Sequence, residues 1–269
     1  MTRTALFIGP SYYPSDLGQN VSVYPPAVLG TVYRAACERF SRIALVDGYF
    51  GTVPSVWHKE ILYALAQGIE VLGAASMGAL RASELWEYGM QGVGLIFNLY
   101  RRGALTDDDE VCVVHAPREF AYKAFSHAMV NVRLTARRMT RMALLNRAQE
   151  QEFITFVKRQ HFSKRTDDVI REAFNAIAPG REHVSLEAFR RNYRDAKRDD
   201  ARMLIEILSG VRATPQRAAP RAGFSFPITS HWRQQFEIQL NDVPPLGYDV
   251  STGLTISPQG DRADVHQCR

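Results

Sequence analysis

The first 116 residues alternate short, almost wholly apolar runs with stretches of helical periodicity, and few architectures accept that alternation. Ala5-Leu6-Phe7-Ile8 ends in Gly9-Pro10, and Ile43-Ala44-Leu45-Val46 ends in Asp47-Gly48. The run from Glu70 to Ala75 ends in Ser76, and Val111-Cys112-Val113-Val114 ends in His115. Strands this uniformly apolar are buried on both faces, as in a parallel sheet covered by helices. Between them, residues 27–40, 54–67 and 77–88 carry helical spacing. Ser55 and Ser76 stand where they can cap the second and third of these helices, and Gly68 closes the second. The expected fold is therefore α/β, a Rossmann-like parallel sheet flanked by helices. Right-handed crossovers then gather the strand-end loops on one edge of that sheet.

From Glu119 to about Leu208 the pattern is helical only, so an all-helical subdomain is expected to follow the sheet. Its last helix reads as one element, with Leu186, Phe189, Tyr193, Ala196, Met203, Leu204, Ile207 and Leu208 on the apolar side. Ser185 is its expected N-cap and Gly210 its stop, and the opposite face carries Arg190, Arg191, Arg194, Lys197 and Arg198. Beyond Gly210 a Pro-, Ala- and Arg-rich linker leads to an apolar contact surface made by Phe224, Phe226, Trp232, Phe236, Ile238 and Leu240, then to a frayed end over residues 261–269. The expected divisions are residues 1–118 for the α/β core, 119–210 for the helical subdomain, and 211–269 for a linker and irregular C-terminal arm. Charge follows the same divisions, for residues 131–220 hold 19 Lys/Arg against 11 Asp/Glu, a local +8 within a chain of net +5.

Several function classes are excluded at this stage. No apolar run approaches the roughly 20 residues that cross a bilayer, and Gly9-Pro10 interrupt the first apolar run too early for a signal peptide, so a cytoplasmic protein without membrane contact is expected. Cys37, Cys112 and Cys268 are odd in number and far apart, without metal-ligand spacing, so no metal site is expected from them. There is neither G-x-x-x-x-G-K-[ST] nor G-x-G-x-x-G after the first strand, so the chain is not expected to bind its own ATP or dinucleotide. Nucleic-acid binding is disfavoured, because no aromatic residues interleave with the basic charge.

In an open parallel sheet ligands bind at the carboxyl ends of the strands, and the loops there hold unusual residues. They are Gly9-Pro10-Ser11, Asp47-Gly48, Ser76-Met77-Gly78 and His115. Gly73-Ala74-Ala75-Ser76-Met77-Gly78 is strand, serine, then helix, with small residues two before and two after the serine. This resembles a nucleophile elbow with alanine at the first glycine position. Such a turn would expose the Ser76 hydroxyl and aim the Met77 and Gly78 N–H groups at an oxyanion. The alternatives are an anion site and a plain helix cap packed through small residues. His58, at the start of the second helix, is a candidate base with Lys59 and Glu60 beside it, and Asp47 is a candidate orienting carboxylate. The run Asp107-Asp108-Asp109-Glu110 reads as a solvated loop, with a cation site or an acidic docking patch as the alternatives.

Residues 46–85 (VDGYFGTVPSVWHKEILYALAQGIEVLGAASMGALRASEL) and 89–117 (GMQGVGLIFNLYRRGALTDDDEVCVVHAP), with Gly9-Pro10-Ser11, Pro25-Pro26-Ala27 and Met129-Val130-Asn131-Val132-Arg133, resemble the TfuA-like family. The resemblance implies an accessory protein for YcaO-dependent thioamidation of ribosomally made peptides, in which ATP and Mg belong to the YcaO partner and this chain binds no cofactor. It also implies as partners a YcaO-domain protein, a small ubiquitin-like sulfur carrier bearing a thiocarboxylate, and a precursor peptide. Sulfide release from such a carrier is acyl transfer, which suits Ser76 as nucleophile with His58 or His115 as base and Asp47 or Glu60 as orienting acid. Lys59 or Arg81 would then hold the carrier's terminal carboxylate or the sulfide. The other reading is a non-catalytic docking factor, with the arginine-rich face at Arg190–Arg198 meeting an acidic partner.

Overall fold

The computed structural model describes residues 3–12, 14, 17, 19–51, 53–180, 183–215, 225–238, 245–249 and 254–255. Five parallel strands form one sheet: β1 (Thr4–Phe7), β2 (Val21–Tyr24), β3 (Arg42–Leu45), β4 (Glu70–Ala74) and β5 (Gln91–Val93). Their order is β2-β1-β3-β4-β5, so the chain moves outward from β1 to β2 and then crosses back to build in the other direction. The reversal lies between β1 and β3, and their carboxyl ends flank the crevice where ligands settle in sheets of this kind.

Three of the four expected strands stand within a residue of their expected places; the fourth does not exist. Val111 follows a tight turn over Asp108–Glu110, and Cys112–Val114 runs extended outside the sheet, reaching one isolated bridge between His115 and Ala124. Its polar groups are met one at a time: the Val111 carbonyl accepts from Lys197 Nζ, the Val114 N–H donates to Ser126 Oγ, and the Val114 carbonyl accepts from Phe125 N–H. The run is apolar because it walls a cavity, a context that residue type alone does not separate from a central strand. Two strands escaped sequence reading. β2 is a four-residue edge strand, and β5 has three residues with Gly92 in the middle, too short for any periodicity. Gly92 is required there, since a Cβ would meet the Phe97 ring at 2.1–2.2 Å.

Helices α1 (Thr31–Cys37) and α2 (His58–Ala66) cover one face of the sheet, packing Val32, Ala35, Ile61 and Ala64 against Ala5, Phe7, Ile43, Leu45 and Val71. Both begin later than their spacing suggests. Gly30 takes φ +87° before α1, while Ser55 donates to the Tyr49 carbonyl instead of capping α2. The Glu60 carboxylate caps α2 from within by accepting the Trp57 N–H at 3.0 Å. Helix α3 (Met77–Leu85) follows β4 as expected, and α4 (Gly94–Arg101) follows β5.

Five further α-helices follow up to residue 208, namely α5 (Met129–Arg141), α6 (Arg147–Lys158), α7 (Asp167–Ile177), α8 (Leu186–Arg191) and α9 (Ala196–Leu208). The last expected helix is thus two. Ser185 caps α8 as expected, but Asn192 turns its amide onto the Ala188 carbonyl and Asp195 accepts the Arg198 N–H as a new N-cap. The break lets α9 swing onto the second face of the sheet, where Ala201, Leu204 and Ile207 pack on Leu6, Ile8, Ala44, Val46, Leu72 and Ala74. A separate core forms where α6, α7 and α8 bring Phe153, Phe174 and Phe189 together. Of the expected C-terminal contact surface, Phe226, Trp232 and Phe236 pack on Tyr33 and Tyr63. Phe224, the Ile238 side chain, Leu240, Cys268 and the expected frayed end lie outside the described residues. Among the described residues no helix is long and apolar enough to cross a membrane.

Candidate functional site

At the carboxyl edge of β1, β3 and β4 lies a cavity of ≈ 320 Å³. Its polar lining includes Asp47, Ser76, His115 and Lys197, and its apolar walls include Phe50, Val111, Val113 and Phe162. Pro10 and Gly48 complete the strand-end rim. Four of the loops singled out in the sequence therefore converge on one hollow.

Asp47 is the stitch between the ends of β1 and β3. Its Oδ2 accepts the Gly9 N–H at 2.9 Å and the Ser11 N–H at 3.1 Å, and its Oδ1 accepts the Ser11 hydroxyl at 2.6 Å. Gly9 and Ser11 thus serve the site by holding Asp47, and a Cβ on Gly9 would lie 2.5 Å from Pro26 Cγ. Three hydrogen bonds compensate the desolvation of a carboxylate that is only 1 % exposed.

Ser76 sits at the N-cap position of α3, yet its side chain makes no capping hydrogen bond and lines the cavity instead. The turn that presents it is strained, with Ala75 at φ +63°. The expected pair of oxyanion donors is corrected to one. The Gly78 N–H donates to the Val46 carbonyl at 3.1 Å, whereas the Met77 N–H has no acceptor among the described residues. The Met77 side chain belongs to the core beneath. The glycines serve packing: a Cβ on Gly73 would stand 2.1 Å from the Gly78 carbonyl oxygen, and one on Gly78 would stand 1.8 Å from that of Leu45. Only glycine lets the start of α3 lie against the backbone of β3 and β4.

Lys197 is the residue that sequence reading misplaced. Read as part of an exposed basic face, it is 4 % exposed, lines the cavity, and donates to the Val111 carbonyl at 2.7 Å. Burial lowers its affinity for a proton; the Asp47 charge opposes that shift without cancelling it. No carboxylate lies within ion-pair distance of its Nζ among the described residues. Its one sequence signal was position, a lysine one turn before the apolar residues of α9, and that signal pointed equally to solvent.

His115 points Nδ1 at the Ala116 carbonyl, 2.8 Å away, and a carbonyl only accepts. The neutral ring therefore carries its proton on Nδ1 and leaves Nε2 as the acceptor. The ring packs against Tyr49 and Tyr122, whose hydroxyls donate to the two oxygens of buried Asp249 at 3.0 and 3.1 Å.

The remaining expected site residues fall elsewhere. His58 pairs through Nε2 with Glu84 at 2.7 Å on the outer surface, where Arg81 also holds Glu84 at 2.8 Å and donates to the Val56 carbonyl. Burial pushes the Glu84 carboxyl upward, but the His58 hydrogen bond and the Arg81 charge overcome it and hold the group below the usual range. Lys59 is half-buried and does not line the cavity. Glu60 does not orient His58, because neighbouring helical residues point in different directions. Its buried carboxylate accepts the Trp57 and Tyr33 N–H groups instead, tying α2 to the start of α1, and burial pushes its pKa up to about 7. Cys112, by contrast, does line the cavity, with Sγ donating to the Asp108 carbonyl at 3.3 Å, and burial pushes its thiol up to about 12, which makes it a poor nucleophile.

The acidic run is a solvated loop only in its first half: Asp107 and Asp108 are exposed, whereas Asp109 is half-buried and Glu110 is buried. Lys158 Nζ bridges Asp107 at 2.9 Å, Glu110 at 3.0 Å and Asp109, while Arg165 reaches Asp109 at 2.5 Å and Arg133 grips Glu110 through two nitrogens at 2.9 Å. An ammonium already sits where a cation would bind. The arginine-rich face is likewise engaged, Arg190 with Asp167 at 2.5 Å and Arg191 with Glu187 at 3.6 Å, so it is no single free cationic stripe.

No curated protein matches the chain. Residues 47–166 match the model of the family described as TfuA-like protein, a span that holds Asp47, Ser76 and His115 but ends before Lys197. Over that stretch, a little under half of its length, the chain is similar to the TfuA-like family.

Proposed function

We propose that this chain supplies sulfur for YcaO-dependent peptide backbone thioamidation by releasing sulfide from a thiocarboxylated small ubiquitin-like carrier. The observation that supports this reading is the pairing, around one cavity, of Ser76 on a strained turn with a buried lysine of lowered proton affinity. Serine with lysine as base is an established arrangement for acyl transfer.

Lys197, in its unprotonated form, takes the Ser76 proton as Oγ attacks the carbonyl carbon of the carrier's thiocarboxylate. The oxyanion forms beside the Met77 N–H and the positive end of the α3 dipole. Collapse of the tetrahedral species breaks the C–S bond as the Lys197 ammonium returns its proton to the departing sulfur, so that hydrosulfide leaves, the carrier's acyl group stays on Ser76, and Lys197 is again a base. Water then attacks that ester, giving its proton to the base, and the carrier departs with an ordinary carboxylate. Burial of Lys197 keeps its ammonium form costly. ATP and Mg²⁺ remain the business of the YcaO partner.

The test is sulfide release from a thiocarboxylated carrier by the purified chain alone. Wild type should release sulfide, and Ser76→Ala should lower the rate by at least about 100-fold. Release at the wild-type rate by Ser76→Ala overturns the mechanism. No release by wild type until a YcaO protein and a peptide are added would make the chain a docking factor.

A further inference from the structure

A second hollow of ≈ 690 Å³ runs between α4, α5 and the start of α9, away from the cavity. Its rim carries Arg137, Arg138 and Arg141 from α5 and Arg194 from the turn before α9. Its floor is aliphatic, made by Leu95, Leu99, Leu134 and Met203, and Leu95 is 45 % exposed. Arg137, Arg138 and Arg141 are all exposed, and none makes an ion pair among the described residues. This separates them from the Arg190–Arg191 face, whose charges are met within the chain. A neighbouring hollow shares Arg137 and Arg141 and adds Arg147, with Glu150 as its one acid.

Two carboxylates line the α9 side, and neither neutralises the α5 arginines. Asp199 lies 3.9 Å from Arg194, and Asp200 is buried, with its oxygens each accepting an N–H at 2.7 Å from Leu95 and Ile96 at the start of α4. The groove therefore offers three uncommitted guanidinium groups over a strip of aliphatic surface. Guanidinium forks prefer carboxylates, and an aliphatic strip between them suits the apolar side of an amphipathic segment. A nucleic acid fits less well, for the lining holds no aromatic ring for a base to stack on, and the two carboxylates oppose a phosphate chain.

We infer that this groove docks an acidic amphipathic segment of a partner protein, its carboxylates on Arg137, Arg138 and Arg141 and its apolar side chains on Leu95 and Leu134. The docked segment would lie against α9, whose first turn carries Lys197 toward the cavity and Ala196 and Asp199 toward the groove. The surface is argued from the groove alone and does not rest on the chemistry proposed for Ser76.

The experiment is fluorescence anisotropy of the full chain with a labelled synthetic peptide of roughly 15 residues, Glu and Leu set at helical spacing. Binding is expected, weakening as salt rises from about 50 to 300 mM. Arg137→Glu combined with Arg141→Glu should weaken it at least about tenfold, whereas Arg171→Glu on α7 should leave it unchanged. Where charge reversal disturbs the circular dichroism spectrum, Arg137→Gln with Arg141→Gln replaces it, with the same direction expected. Absence of binding, equal weakening by Arg171→Glu, or tighter binding of a single-stranded oligonucleotide of similar length would each overturn the proposal. Because the readout is binding, its failure leaves sulfide release untouched, and the converse also holds.

Discussion

Lys197 and Ser76 lie far apart in the sequence and line one cavity, and burial changes what each can do. A lysine without a carboxylate partner in the fold binds its proton less tightly there than in the unfolded chain. The unfolded chain then holds more protons as pH rises toward about 10.4, so stability climbs through that window. Lys197→Met should therefore lower sulfide release by at least about 100-fold without lowering the thermal midpoint at pH 7, because a costly buried charge is replaced by an apolar chain of similar length. A fall in midpoint of several degrees would make Lys197 a structural residue instead. Glu60 and Asp200 have the opposite sign, for burial pushes Glu60 up from 4.5 to about 7 and Asp200 up from 3.8 to about 6. Each binds its proton more tightly when folded, so the stability each contributes is full below its unfolded value and is lost as pH rises through its folded value. Unfolding midpoints should decline between pH 4.5 and 7, and the decline should be shallower in Glu60→Gln and in Asp200→Asn. At this scale the sequence showed which loops hold polar residues. It did not show that His58 turns outward to Glu84 while Lys197 turns inward, since both follow from rotations of a helix set by distant packing.

The β4–α3 unit shows how far local pattern reaches. Small residues around a serine between a strand and a helix announced a close turn, and the turn is there, with Ala75 in the left-handed region and both glycines against backbone. Gly78→Ala would place a methyl 1.8 Å from the Leu45 carbonyl oxygen. It should cost about 3 kcal/mol or more in urea unfolding, above the usual range for overpacking, because the atom in the way is backbone and cannot change rotamer. The pattern did not show which N–H groups remain free, since the Gly78 donor is taken by Val46 from another strand. The same limit split the last expected helix. Its apolar spacing persists through Asn192–Asp195, but two side chains that bond their local backbone end one helix and start the next.

Across the whole molecule, the helical half is tied to the sheet by charge at one end and by apolar burial at the other. Arg165 is fully buried and joins the acidic run to the α6–α7 connection, donating to the Gln160 and Asp109 carbonyls and to the Asp109 carboxylate. Arg165→Ala removes one partner of a buried pair and should cost about 3 kcal/mol or more, measured as a lower denaturant midpoint. At the other end α9 covers a full face of the sheet, so a chain cut before Ala196 should bind a hydrophobic dye and aggregate, while retention of a cooperative unfolding transition would contradict that role. The sequence by itself determined the parallel sheet, the strand-end edge as the place for chemistry, and Asp47 and Ser76 as residues at that edge, whereas His115 reaches the cavity without the strand expected to carry it. These follow from period, turn residues and the handedness of crossovers, which are local rules. Only the tertiary structure decided that Val111–Val114 is a wall and no strand, that Asp107–Glu110 holds an ammonium, and that Lys197 completes the cavity. Each of those depends on a partner more than 45 residues away, Lys197 for Val111 at a separation of 86 and Lys158 for Asp109 at 49, and no local period encodes which distant group will desolvate a charge or meet it.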